Sequence, residues 1–77
     1  MLRPTVTNVI PESDYFLFLT FDNGEQKRFD VRPYIKGTFY GKLNDKSYFA
    51  RVKPNGFSVE WPDGQDLCPD DLYYESK

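Results

Sequence analysis

Four carboxylates, Asp63, Asp66, Asp70 and Asp71, fall close together near the C-terminus and form the densest set of groups that could do chemistry. A calcium loop needs oxygen ligands alternating along a continuous segment, with glycine sixth and glutamate twelfth, and Asp63-Gly64 breaks that order at once. A general acid and base pair would need a defined separation, which sequence does not supply. Helix caps and turns account for these side chains better, because Pro62, Gly64 and Pro69 already constrain the path of the chain around them. Cys68 is the single cysteine and histidine is absent. No base is therefore available to activate the thiol, no internal disulfide forms, and zinc, copper and iron lack a soft or imidazole ligand set. Standing before Pro69, Cys68 reads as a small buried hydrophobe. The glycines stand singly at 24, 37, 41, 56 and 64, as turns require, and build no phosphate loop. No reaction, metal or cofactor is implied, and the chain is expected not to be an enzyme.

The cations are concentrated elsewhere. Residues 27–53 hold eight of the ten, against Asp30 and Asp45, whereas the segment from Glu60 onward holds six carboxylates and Lys77. Two readings stay open: the basic segment folds beside the acidic one, or it offers a patch, with Lys27, Arg28 and Arg32 at its start, to an anionic partner. Aromatic side chains interleave with the cations at Tyr34, Phe39 and Tyr40, a composition shared with single-strand stacking surfaces. The acidic pI of about 4.9 argues against a dedicated nucleic-acid binder.

These groups must be positioned by one domain spanning 1–77, since no repeat, linker or low-complexity stretch divides the chain. So small a domain buries only about 60% of its unfolded surface, so bulky side chains must supply the stability. Aromatic residues make up 18% of the chain. The opening Met1-Leu2-Arg3-Pro4-Thr5 leads into no apolar leader region, and no run reaches the roughly 18 residues that span a bilayer. A cytoplasmic location is expected, with no membrane contact.

Val6 to Ile10 reads as a first strand and Tyr15 to Phe21 as a second, apolar at both parities. Asn23-Gly24 predicts a two-residue hairpin turn. That register places Phe18 opposite Phe29 and Phe16 opposite Val31 on a core face. Leu17, Leu19 and Phe21 are left on the other face, where a helix, a loop or a second chain must cover them. Asn55-Gly56 predicts a second two-residue turn, with Val52 opposite Val59 and Ala50 opposite Trp61. Asp30 to Gly37 carries helical start and stop signals, Asn44 or Asp45 suits a cap for a short helix through Phe49, and Pro69 suits a first helical position with Asp70 and Asp71 in the first turn. The whole is an α+β domain with an antiparallel sheet of about four to five strands.

Phe21-Asp22-Asn23-Gly24-Glu25, Phe29-Asp30-Val31, Phe39, Leu43 and Phe49-Ala50-Arg51-Val52 precede a closing run of Trp61, Pro62, Gly64, Asp66, Leu67, Pro69, Leu72 and Tyr73. Together they resemble the small bacterial domain-of-unknown-function family 2442. The resemblance implies no established activity. It implies members that occur alone or before a helix-turn-helix domain, encoded beside another small protein in what resembles a toxin–antitoxin or regulatory pair. Within the closing run Asp66 is expected to accept backbone N–H bonds in the turn before Pro69. The function expected is a non-enzymatic interaction or regulatory accessory, whose partner is another small protein or a second copy of the chain. The alternative is a nucleic-acid-binding accessory using segment 27–53.

Overall fold

A computed structural model describes residues 4–77; Met1, Leu2 and Arg3, the start of the segment read as carrying no leader region, lie outside the described residues. Strands β1 (Val6–Pro11), β2 (Phe16–Phe21) and β3 (Gln26–Asp30) form an antiparallel sheet in the order β1-β2-β3, and β4 (Lys53–Asn55) pairs with β5 (Ser58–Glu60) in a second, two-stranded sheet. The α+β class and the five strands agree with the sequence. Their division into two sheets does not follow from it. β1 reaches the second hairpin through the Val6 N–H, which donates to the Gly56 carbonyl at 2.9 Å. Two 3-10 turns, Arg32–Tyr34 and Tyr40–Asn44, and helix α1 (Lys46–Phe49) connect the sheets, and α2 (Pro69–Tyr74) follows the second.

The helical signals act where expected. The Asp45 carboxylate accepts the Ser47 N–H at 2.9 Å and caps α1. Pro69 opens α2 with Asp70 and Asp71 in its first turn. Around Pro33 only a 3-10 turn forms, and the capping carboxylate is that of Asp30, accepting the Arg32 N–H at 3.0 Å.

Both hairpins differ in register from the sequence expectation, with opposite consequences. At the first, the Gly24 N–H donates to the Phe21 carbonyl (3.0 Å) and the Phe21 N–H to the Glu25 carbonyl (2.9 Å), so the loop has three residues, Asp22-Asn23-Gly24. Gly24 takes the left-handed conformation at φ 90°. Asn23 stays out of it because its side-chain carbonyl accepts the Glu25 N–H at 3.0 Å. The strands therefore slip by one residue: Leu17 faces Phe29, Phe18 faces Arg28 and Leu19 faces Lys27. A slip of one exchanges the faces of the strand. Leu17, Leu19 and Phe21, placed by the sequence on an uncovered face, are at most 2% exposed and form the centre of the core with Phe29 and Val31. At the second hairpin Gly56, at φ 60°, and Phe57 make the loop, so Pro54 rather than Val52 faces Val59. That slip is of two residues: Val52, Val59 and Trp61 of the predicted core side stay buried, whereas Ala50, expected opposite Trp61, is exposed.

The three-residue loop recurs twice. In Ser13-Asp14-Tyr15 the left-handed third residue is Tyr15 (φ 64°), and in Pro62-Asp63-Gly64 it is Gly64 (φ 96°). A tyrosine in this conformation carries backbone strain of roughly 1 kcal/mol or more. Its side chain offsets that cost by tying the first sheet to α1. The hydroxyl donates to the Asn44 carbonyl, and the ring meets Phe49 edge-on at 5.3 Å.

Candidate partner-binding surface

The closing run is an anchor for the second sheet. Trp61 is 1% exposed, its indole N–H donates to the Phe49 carbonyl at 2.9 Å, and its ring lies on Phe49 at 5.7 Å. Pro62 pre-sets the first position of the loop and Gly64 supplies the third. Leu67 and Leu72 are buried, and Pro69 starts α2. Tyr73 ties α2 to the first hairpin. Its ring meets Phe21 edge-on at 5.2 Å, its hydroxyl donates to the Glu25 carboxylate, and its carbonyl accepts the Lys27 ammonium at 3.1 Å.

Gln65, which the sequence reading passed over as a loop residue, is fully buried. Its amide N–H donates to the Phe39 carbonyl and its amide oxygen accepts the Tyr48 hydroxyl, both at 2.8 Å. Tyr48 in turn accepts the Asp63 N–H at 2.9 Å, and Lys42 forms an ion pair with the Asp63 carboxylate. A glutamine between Gly64 and an aspartate carries no sequence signal for burial.

Two expectations in this region are corrected. Among the described residues no N–H donates to the Asp66 carboxylate. Asp66 is held by its backbone instead, bridged to Glu60 and with its carbonyl accepting the Tyr40 hydroxyl at 3.1 Å. Cys68 is exposed rather than buried, because it precedes α2 at the domain surface while its neighbour Leu67 turns inward.

The six residues proposed for partner contact separate. Leu17, Leu19 and Phe21 are core, as the register slip requires. Lys27 is on the same inward side, its ammonium 3.9 Å from the centre of the Tyr73 ring. Arg28 and Arg32 stand on the opposite face. That outer face carries Ile10 on β1, Phe16 and Phe18 on β2, and Arg28 on β3, with Ile10 beside Phe18 and Phe18 beside Arg28. Ile10 is 50% exposed, and neither Phe16 nor Phe18 belongs to the buried core or packs against it. The Arg28 and Arg32 guanidinium groups lie 4.6 and 5.1 Å from the Phe16 ring centre. Arg28 also pairs with Glu12 and Arg32 with Asp30, each at 2.8 Å. The open strand face anticipated for β2 thus exists, but it is formed by the even-numbered residues.

The ionisable groups follow their contacts. The Asp30 carboxyl is held below its ordinary range by hydrogen bonding from Arg32, and that of Asp63 by hydrogen bonding from Lys42. The Tyr73 hydroxyl does the same for Glu25, and its own titration is raised in return. Each pair is an exposed structural contact. Among the described residues no three His, Cys, Asp or Glu side chains converge as a metal site, and no helix is long and apolar enough to cross a membrane.

No curated protein and no solved structure matches the chain. Residues 6–77 match the family described as protein of unknown function (DUF2442), in agreement with the resemblance drawn from the Trp61 to Tyr73 run, and the chain belongs to that family.

Proposed function

We propose that this domain is a non-enzymatic protein-interaction module that binds another protein through the outer face of its first sheet, as one member of a regulatory pair. The observation that carries this reading is the aromatic and aliphatic patch of exposed Ile10 and half-buried Phe16 and Phe18, which among the described residues stands apart from the core. A sheet face is ordinarily polar where it meets water, and apolar side chains there mark a contact surface. Arg28 and Arg32 frame the patch, and arginine over an aromatic ring is a combination enriched at protein interfaces. Nucleic-acid binding by segment 27–53 has less support, because Lys27, Arg28, Arg32 and Lys42 are already engaged by carboxylates or carbonyls of the chain itself.

The test is affinity capture from host lysate by the tagged protein and by a variant carrying Ile10→Glu with Phe18→Thr. Both substitutions lie on the open face and leave the core untouched. A small protein retained at one-to-one ratio by the parent and lost by the variant, at similar melting temperatures, is the expected result. Equal capture by both removes the patch from consideration. Nucleic acid in the eluate that is lost on a salt wash favours the basic segment instead.

A further inference from the structure

A second surface lies away from the sheet face. Between the 3-10 turns and the start of α2 lies an open cleft of about 330 Å³, lined by Tyr34, Tyr40, Leu67, Cys68 and the acidic residues Asp66 and Asp71. Its frame is fixed. The Tyr40 hydroxyl holds the Asp66 carbonyl, Glu60 bridges the Asp66 backbone, and the flanking Gln65 and Leu67 are buried. The Asp66 side chain is thus carried on a rigid segment, yet among the described residues neither it nor the Asp71 carboxylate has a cation within ion-pair distance. Lys36 also lines the cleft. Asp66 and Asp71 thus set two carboxylates against that one ammonium.

We infer that this cleft receives the guanidinium group of an arginine from a partner polypeptide. Three features select that group over other ligands. Two tyrosines line the cleft, and guanidinium pairs with aromatic rings better than a compact, strongly hydrated ammonium does. Two carboxylates that meet no cation among the described residues offer acceptors for its planar N–H fork. The negative balance excludes phosphate and carboxylate ligands. The inference rests on the interaction reading for its biological sense, and it names a contact on a different face from the sheet patch.

The test uses a probe and no partner. The ¹⁵N-labelled protein is titrated with acetyl-Gly-Arg-Gly-amide, and amide shifts are followed by NMR. The expected result is saturable shifts concentrated at Tyr34, Tyr40, Leu67 and Cys68. The citrulline analogue, equal in shape but uncharged, binds about tenfold more weakly, the difference between a charge-assisted and a neutral hydrogen bond. The lysine tripeptide also binds more weakly. Asp66→Asn with Asp71→Asn reduces the arginine affinity by a similar factor while the remaining spectrum is preserved, and Lys36→Ala raises it. Shifts that are absent, that scatter over the surface, or that are matched by the citrulline peptide overturn the inference. Because no partner takes part, failure here leaves the sheet-face proposal standing, and loss of capture by the Ile10 and Phe18 variant leaves this one standing.

Discussion

Replacing Gln65 by Met keeps the length and volume of a fully buried side chain and removes its amide. Two hydrogen bonds of 2.8 Å go with it, one to the Phe39 carbonyl and one from the Tyr48 hydroxyl. Each contributes about 1 kcal/mol net, and a partly buried carbonyl left unpaired costs about 1 kcal/mol or more. Tyr48 is partly exposed and recovers a water, so the penalty centres on Phe39. The thioether offsets part of it through apolar burial, which brings the expected loss to about 2 kcal/mol. For a domain of this size each kcal/mol moves Tm by about 4–8 °C, so differential scanning calorimetry should report a fall of about 8–16 °C. A double-mutant cycle with Tyr48→Phe isolates the shared bond, with an expected coupling of about 1 kcal/mol. A fall below about 3 °C, or additivity of the two substitutions within about 0.3 kcal/mol, would refute a stabilising role for the buried Gln65 amide.

Two further outcomes follow from the face assignment and from the charges. Leu19→Ala should cost about 2–5 kcal/mol in chemical denaturation, whereas Phe18→Ala on the open face should cost about 1 kcal/mol; the reverse order would restore the register expected from Asn23-Gly24. The Asp63 carboxyl titrates below its ordinary 3.8 because Lys42 favours the charged form. A depressed folded-state value means that the ion-pair stability is present above the unfolded value and disappears as pH falls through the folded one. Melting temperatures between pH 5 and pH 2 should therefore fall less steeply for Asp63→Asn than for the parent, and parallel curves would show that the pair contributes nothing.

Local chemistry was legible in the sequence wherever one residue type decides it. Asp45, Pro69, Gly24, Gly56 and Gly64 each do what their side chains or lack of them dictate, and this was enough for the element order and the fold class. Register was not legible, because Asn-Gly suits more than one loop. At Asn23 a side-chain bond to Glu25 selects the three-residue form, and that single added residue turned Leu17, Leu19 and Phe21 from a surface into the core. The slip of two at Gly56-Phe57 left Val52 and Trp61 buried and displaced only the small Ala50 to the surface. Parity therefore decides whether a register error matters for assigning a surface. Gln65 and Asp66 show a second limit. A buried amide and an exposed carboxylate are adjacent in a polar run, and only tertiary contacts with Phe39, Tyr48 and Tyr40 separate their roles.

The three loops of equal geometry share one vulnerable position. At Gly24 and Gly64 the left-handed third residue is the one that tolerates it, and at Tyr15 it is a residue that does not. Sheet edges are affected differently. The outward backbone groups of β3 at Arg28 are taken by Lys77, whose N–H donates to the Arg28 carbonyl at 2.9 Å and whose carbonyl accepts the Arg28 N–H at 3.1 Å. An edge strand with free backbone groups is a template for stacking further chains, and one reciprocal bridge at its midpoint interrupts the row. Loosening that bridge, by a Lys77→Pro change that removes the donor, exposes the full length of Gln26–Asp30 to edge pairing. The domain's resistance to aggregation on storage thus depends on a residue far from its core.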